Sequence, residues 1–254
     1  MINEPPKARW LRRLWRVAGS RPKVDRFLSS FLTHRKFLPE CDPQEVIPGF
    51  VETEIKIKQC PMGAWSTPLV DVFVVLKAAI GFQSKRILEL GSYRGDTARL
   101  LAENTGPDTK IVTVDVEPKH GAAYRGLDIE RKIQRKVGSI SRALFEKDEK
   151  YDFIFVDANH DFNSVMNDTK VAFEVLAEEG VILWHDYCLD SYFHGRCGVP
   201  EALNEYAKQY PIVAIRGTWV GIYSTVPGWK TATRSIGKTA SVPSSVWDEQ
   251  AIRG

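Results

Sequence analysis

The chain has 254 residues, 43% of them hydrophobic, and a formal net charge of +3. This size and apolar content suit one α/β domain with a sizeable core plus extensions. Apolar runs stay well short of the roughly 18 to 20 residues that span a bilayer, and the N-terminus lacks the apolar region of a secretory signal. The four cysteines show no C-x-x-C spacing, which argues against a zinc or disulfide framework and favours reduced thiols in a cytoplasmic protein.

Positive charge is concentrated in residues 1–40, which hold ten Lys or Arg against three acids, a net of +7. Residues 41–254 therefore carry 3 − 7 = −4, and we expect no nucleic-acid partner for the main domain. In residues 9–18 the tryptophans and leucines share one helical face and the arginines the other. This pattern predicts a helical extension that contacts the inner membrane surface peripherally, or packs on its own domain or on a second copy in a homo-oligomer; the third alternative is disorder.

Between 41 and 225 the hydrophobic pattern alternates between strands and helices, as in one α/β domain. The predicted strands are 86–90, 111–115, 133–137, 152–157 and 181–185, followed by an antiparallel hairpin of 212–216 and 219–224. The predicted helices are 68–80, 95–104, 122–131, a short one from Ser141, 162–177 and 200–208. This alternation predicts a doubly wound, Rossmann-like sheet with one reversed strand. Residues 226–254 are rich in Ser, Thr, Gly and Pro and are predicted to be a flexible tail.

The most informative segment is the turn after the first predicted strand, Glu89 to Gly95 (ELGSYRG). In a parallel βαβ unit such a turn lies at the carboxyl edge of the sheet, where its backbone can approach a ligand. Asp115 ends the neighbouring strand, where a carboxylate can accept the hydroxyls of a ribose. Tyr93 stands near where a dinucleotide fingerprint has its middle glycine, leaving little room for pyrophosphate. The pattern therefore favours a nucleoside cofactor other than NAD.

The pattern E-x-G-x-x-x-G resembles motif I of the class I S-adenosylmethionine-dependent methyltransferases. The stretches YDFIFVDANHDF and LAEEGVILWHDY are similar to the macrocin and sugar O-methyltransferases and, more distantly, to the catechol O-methyltransferases. The resemblance covers roughly residues 67–225 and implies a seven-stranded sheet of order 3-2-1-4-5-7-6 with strand 7 antiparallel. It also implies a set of residues that bind S-adenosylmethionine: Glu89, Gly91, Ser92, Gly95, Asp115 and Ser139. Ser139 departs from the acidic residue that many relatives have near the adenine.

Two carboxylates end adjacent predicted strands, Asp157 and Asp186. Carboxylates are the protein ligands that Mg²⁺ prefers, and a divalent cation lowers the pKa of a hydroxyl nucleophile and fixes its position. In the resembled family these two positions are metal ligands. His185 and Tyr187 depart from the family pattern and leave the third ligand open. His160, in the loop after Asp157, is predicted to be a general base; the alternatives are a metal ligand or a structural residue.

The resemblance implies an O-methyltransferase with a small-molecule or glycan acceptor, such as a sugar or natural-product hydroxyl. The residues expected to line the acceptor site are Met62, Gly63, Trp65, Ser66, Tyr187, Tyr192, Phe193, His194 and Arg196. Other chemistry on the same fold stays open, either hydroxylation or N-methylation. A non-catalytic module that binds the cofactor is the alternative from a different class.

Overall fold

The structure is a computed structural model, and it describes residues 37–61, 63, 65–188 and 197–236. The predicted amphipathic helix at 9–18 therefore lies outside the described residues, as do residues 237–254.

A single eight-stranded sheet organises the described residues. Its strands are β1 (Glu40–Cys41), β2 (Arg86–Leu90), β3 (Lys110–Asp115), β4 (Ile133–Val137), β5 (Tyr151–Val156), β6 (Leu176–Trp184), β7 (Val213–Ile215) and β8 (Gly221–Ser224). Their order across the sheet is β1-β7-β8-β6-β5-β2-β3-β4. Strand β8 runs antiparallel to both of its neighbours, and every other pair is parallel.

The prediction of a doubly wound sheet with one reversed strand is confirmed, and strands β2 to β8 follow the expected order. The sheet nevertheless has eight strands rather than seven, because β1 adds a short parallel edge next to β7. There Glu40 pairs with Ala214, and the Arg216 guanidinium lies 2.7 Å from Asp42. Two residues are too few to show a strand period, so the sequence pattern could not predict β1.

Six helices flank the sheet in the described part of the chain: α1 (Pro43–Val46), α2 (Leu69–Gly81), α3 (Asp96–Asn104), α4 (Phe162–Val175), α5 (Val199–Tyr206) and α6 (Trp229–Ile236). The predicted helix over 122–131 is wrong: only a 3₁₀ turn, Asp128–Lys132, forms there. Gly126, inside the predicted range, has φ 75°, which a helix cannot accommodate, and Gly121 just before it has φ 85°.

Two further boundaries differ from those predicted. Strand β6 begins at Leu176, directly after α4, where a helix end and a turn were expected before residue 181. Helix α6 lies inside the segment 226–254 that was predicted to be a flexible tail. Trp229 is buried and donates its indole N–H to the Pro211 carbonyl at 3.1 Å, which fixes α6 against the domain.

The core lies on both faces of the central strands. Their apolar residues are fully buried, including Ile87, Phe153 and Trp184, as a parallel sheet covered by helices requires. The indole of Trp184 donates to Thr169 Oγ1 of α4 at 3.0 Å, so its one polar atom is satisfied. None of the described helices is both long and apolar enough to cross a membrane. Because helices cover both faces of the sheet, the polar residues that follow its strands are held in place at the carboxyl edge.

Candidate functional site

The turn after β2 is packed against the strand that carries Asp157. The Gly91 N–H donates to Val114 O at 2.9 Å, and the Asp157 N–H donates to Leu90 O at 2.8 Å. Gly91 has φ 88°, and a Cβ built on it would lie 2.2 Å from the Asp157 carbonyl oxygen. Only glycine fits this position, and it brings the turn and Asp157 together at one edge of the sheet.

Gly95 closes the same turn and begins α3. Its N–H donates to Ser92 O at 2.7 Å, and its φ is 81°. A Cβ there would lie 2.4 Å from a ring carbon of the buried Tyr124. Tyr93, at φ 46°, is half exposed. The turn thus has an open outer surface and a fixed inner one.

Asp115, at the end of β3, is held by the backbone of the turn. Its Oδ2 accepts from Ser92 N at 3.0 Å and from Tyr93 N at 2.7 Å, and its Oδ1 accepts from Glu117 N at 2.8 Å. Partial burial would raise the pKa of Asp115, but these three amides outweigh burial and lower it. An ionised carboxylate has about four acceptor positions, so about one remains for a ligand hydroxyl.

Glu89 lies beneath the turn and is 1% exposed. Burial raises its pKa to about 8; the nearby Ser92 hydroxyl opposes this, and the charges of Asp157 and Asp115 add to it. Among the described residues neither Glu89 Oε2 nor Ser92 Oγ makes a hydrogen bond of normal geometry. These two orphaned polar atoms lie under the surface where the sequence predicts a ligand.

Asp157, His160 and Asp186 converge at the ends of β5 and β6. Each offers one ligand atom, and these atoms all lie within 4.8 Å of one another. The His160 Nε2 lies 2.8 Å from Asp186 Oδ2. Oxygen and imidazole nitrogen atoms at this spacing form a set that could hold a divalent cation.

His185 joins this group to α2. Its Nδ1 lies 3.2 Å from both Asp157 Oδ1 and Asp186 Oδ2, and its Nε2 lies 2.9 Å from Asp71 Oδ2. Burial alone would lower the pKa of His185, but the hydrogen bonds to the three carboxylates raise it to about 12. Because ionised carboxylates only accept, both ring nitrogens donate and His185 is an imidazolium. One buried cation therefore balances part of the charge of three acids.

His160 is more accessible, with 40% of its side chain exposed. Its hydrogen bond to Asp186 raises its pKa, and partial burial opposes this. Burial would raise the pKa of Asp186, but the hydrogen bonds from His160 and His185 lower it well below its usual range. Asp186 has φ 59°, a left-handed conformation uncommon outside glycine, and the backbone stores strain at this carboxylate.

The other residues predicted for the site are scattered. Ser139 is exposed just after β4, next to Gly138, whose N–H donates to Asp115 O at 3.0 Å. Trp65 is 77% exposed. Tyr187 was predicted to line the acceptor site, but it is buried, and its hydroxyl accepts from Leu38 N at 2.9 Å. Gly63 and Ser66 lie beside the turn, since a Cβ on Gly63 would be 2.8 Å from Ser66 Oγ and 3.7 Å from the ring of Tyr93. Four further candidates together with Met62 lie outside the described residues: Tyr192, Phe193, His194 and Arg196.

Sequence reasoning missed three residues that contact the group. Thr67 donates its hydroxyl to Asp157 Oδ2 at 3.0 Å, and Asp71 pairs with His185. Trp219 packs its ring 6.2 Å, centroid to centroid, from that of His185. A threonine, an acid inside an apolar helix and a tryptophan in a hairpin turn form no motif. Only the buried charge of Asp71 in α2 could have suggested a partner.

The chain was compared with known proteins. Residues 88–187 match a family model described as a methyltransferase domain. The matched segment spans the turn after β2, Asp115, Asp157, His160 and Asp186. No curated protein matches the chain.

Solved structures share the fold. They include the O-methyltransferase TomG of Streptomyces achromogenes, involved in tomaymycin synthesis and in complex with SAM, at 18% identity and TM-score 0.52, covering 65% of this chain and 83% of that one. An O-methyltransferase of Bacillus cereus in complex with SAH has 17% identity and TM-score 0.51, with coverages of 64% and 82%. The cofactor-bound protein Rv0187 from MTB has 16% identity and TM-score 0.54, with coverages of 65% and 84%. At these identities the likeness shows the fold alone, and the methyltransferase-domain match covers residues 88–187.

Proposed function

We propose that this protein is an S-adenosylmethionine-dependent O-methyltransferase acting on a hydroxyl of a sugar, glycan or natural product. One observation carries the proposal: Gly91 packs against the backbone of Asp157, so the predicted cofactor turn and the acid group share one sheet edge. A methyl donor on the turn and a hydroxyl at the acids would then be neighbours.

The residues of the turn fit the nucleoside cofactor. Gly91 and Gly95 let the turn pack closely against Asp157 and Tyr124, and Ser92 Oγ is a buried polar atom with no hydrogen bond of normal geometry among the described residues. Asp115 is fixed, ionised and retains about one acceptor position for a ribose hydroxyl. When bound, S-adenosylmethionine supplies an electrophilic methyl group on a sulfonium. The chain itself binds and orients this group.

Asp157 and Asp186 also fit a divalent cation such as Mg²⁺. Both are carboxylates on adjacent strands, and their ligand atoms lie within 4.8 Å of each other and of the imidazole of His160. A bound cation would lower the pKa of a hydroxyl that it contacts. Thr67 and His185 hydrogen-bond to the two carboxylates and so restrict their rotation.

His160 is proposed to accept the proton of the acceptor hydroxyl at Nε2. It is the most exposed member of the group, so a substrate can reach it. Its hydrogen bond to Asp186 raises its pKa, and partial burial opposes this. Without the hydrogen bond to Asp186, the pKa of His160 would no longer be raised. More of the imidazole would then be unprotonated near neutral pH and able to accept the proton.

The acceptor class rests on the resemblance to the sugar O-methyltransferases and on the two solved relatives described as O-methyltransferases. The alternatives are N-methylation or hydroxylation on the same fold, and a module that binds the cofactor without turnover. The non-catalytic module is distinguished by turnover, since it would bind S-adenosylhomocysteine but transfer no methyl group.

The test is calorimetric titration of the full chain with S-adenosylhomocysteine, with and without Mg²⁺, using NAD as the control ligand. Micromolar binding of S-adenosylhomocysteine is expected. Asp186→Asn should spare this binding and abolish metal-stimulated methyl transfer. Equal losses of binding and turnover would refute the metal site, and binding of NAD alone would refute the cofactor.

A further inference from the structure

We propose that Trp219 is the platform on which the ring of the acceptor stacks, and that the acceptor is a hydroxylated six-membered ring. This inference rests on the proposed function and extends it to the substrate class. Trp219 lies in the turn between β7 and β8, and β7 runs parallel to β6. The turn therefore stands at the carboxyl edge of the sheet, together with the acid group.

The backbone of Trp219 is fixed to the site by both of its polar groups. Its N–H donates to Asp71 Oδ1 at 3.1 Å, and its carbonyl accepts from Tyr187 N at 2.9 Å. Asp71 in turn binds His185, and Tyr187 directly follows Asp186. A tryptophan anchored in this way cannot move away from the acids without breaking their network.

The side chain of Trp219 is nevertheless left open. Its ring packs against that of His185 at 6.2 Å and an interplanar angle of 47°, yet 43% of the residue is exposed. Trp184 and Trp229 are 0% and 6% exposed, whereas Trp65 is 77% exposed. Single exposed apolar residues are common on protein surfaces; Trp219 differs from the others because its backbone is hydrogen-bonded to the network around the acids. A ligand held at the acid group would cover its open face.

The order of the strands shows where such a ligand would lie along the edge of the sheet. Along the edge the cofactor turn follows β2, the acids follow β5 and β6, and Trp219 precedes β8. These positions are separated by about 5 Å per strand. Methyl transfer needs the acceptor oxygen on the far side of the methyl group from the sulfur. An acceptor whose oxygen lies at the acids and whose body extends along the edge toward β8 would meet Trp219.

An indole face favours flat partners that offer a second apolar face, with ring centroids about 4.5 to 7 Å apart. A pyranose, through its C–H face, and a phenol, through its π face, share this chemistry. Both also present a hydroxyl at the ring edge, where the acids and His160 lie. Acyclic alcohols have the hydroxyl without the face, so Trp219 would not distinguish them from water.

The experiment uses the full chain labelled with 5-fluorotryptophan and saturated with S-adenosylhomocysteine and Mg²⁺. The Trp219 resonance is assigned in the ¹⁹F spectrum by its loss in Trp219→Phe. Methyl α-D-glucopyranoside, catechol and glycerol are then added separately. We expect one or both ring probes to shift this resonance and glycerol to leave it unchanged. The probe that shifts it shows whether the acceptor ring is a sugar or a phenol.

Variants test the role through the affinity of the active ring probe, measured by saturation transfer. Trp219→Leu should weaken it about 5-fold, a typical loss of one aromatic contact, and Trp219→Phe should restore most of it. Phe73→Leu, at a similarly exposed aromatic of α2, is the matched control and should change nothing. The affinity for S-adenosylhomocysteine should stay constant throughout.

Three results would overturn the inference. The first is a Trp219 resonance that moves with neither ring probe, the second is an equal response to glycerol, and the third is a parallel loss of S-adenosylhomocysteine affinity in Trp219→Leu. The last would make Trp219 structural. If S-adenosylhomocysteine does not bind the unaltered chain, the proposed function itself fails, which is a separate outcome.

Discussion

Replacing Glu89 by glutamine is expected to make the protein more stable at neutral and alkaline pH and to flatten its stability profile. Glu89 is 1% exposed, and burial raises the pKa of its carboxyl from 4.5 to about 8. The folded protein therefore keeps a proton on Glu89 in a pH range where the unfolded chain has lost it. Between these two values the free energy of unfolding must fall as the pH rises.

The size of this effect follows from the two pKa values. Each pKa unit corresponds to about 1.4 kcal/mol, so a difference of roughly 3.5 units is worth up to about 5 kcal/mol above pH 8. Between pH 5 and pH 8 the contribution of Glu89 amounts to about 3 to 4 kcal/mol. Glutamine is neutral at every pH and has nearly the shape of the protonated acid, so Glu89→Gln should lack this contribution.

The assay is urea denaturation of both proteins at several pH values, without cofactor. The difference in unfolding free energy between Glu89→Gln and the unaltered chain should grow steadily with pH, since all other groups cancel. Glu179→Gln, at an exposed glutamate of β6, is the control and should shift stability by less than about 0.5 kcal/mol. Parallel profiles for Glu89→Gln and the unaltered chain would mean that Glu89 is ionised in the fold, and the reasoning would be refuted.

Three further substitutions test the site. Gly91→Ala places a methyl group 2.2 Å from the Asp157 carbonyl at φ 88° and should cost at least about 3 kcal/mol of stability, seen as a lowered Tm; an unchanged Tm would contradict the packing. Asp115→Asn should weaken S-adenosylhomocysteine binding about 10- to 100-fold by calorimetry, as expected for a charged hydrogen bond, and equal affinity would exclude a ribose contact. Asp71→Asn leaves the His185 cation without one of its carboxylates and should lower the free energy of unfolding in urea at pH 7 by about 3 kcal/mol. A loss as small as that of a surface variant would show that the pair is not coupled.

The fold could be predicted largely because the central strands are short, apolar and bounded by turn residues. The predicted strand 86–90 is observed with the same bounds, and the strand ending at Asp115 differs by one residue. The failures have local causes. The helix expected at 122–131 is broken by Gly126, whose positive φ no apolar pattern reveals, and β1 depends on a partner more than 170 residues away.

The site could be predicted from the sequence only where two strand ends lie side by side in the sheet. Asp157 and Asp186 close adjacent parallel strands, so their convergence follows from the strand order. Thr67, which holds Asp157, precedes α2; Asp71, which holds His185, lies within α2; and Trp219 comes from a hairpin turn. Their approach depends on how α2 and the hairpin pack, which the spacing of residues along the chain does not encode. The roles assigned to His160 and Ser139, and a membrane or oligomer contact for residues 9–18, stay predictions.

The place of β8 in the sheet has a consequence for how the chain folds during synthesis. Strand β8 follows both β6 and β7 in sequence, yet it lies between them. Until residues 221–224 leave the ribosome, the apolar strand Leu176–Trp184 has one unpaired edge that is open to pairing with another chain. Fragments ending before residue 221 should therefore aggregate when expressed, even though they contain the whole segment 88–187 that matches the methyltransferase domain.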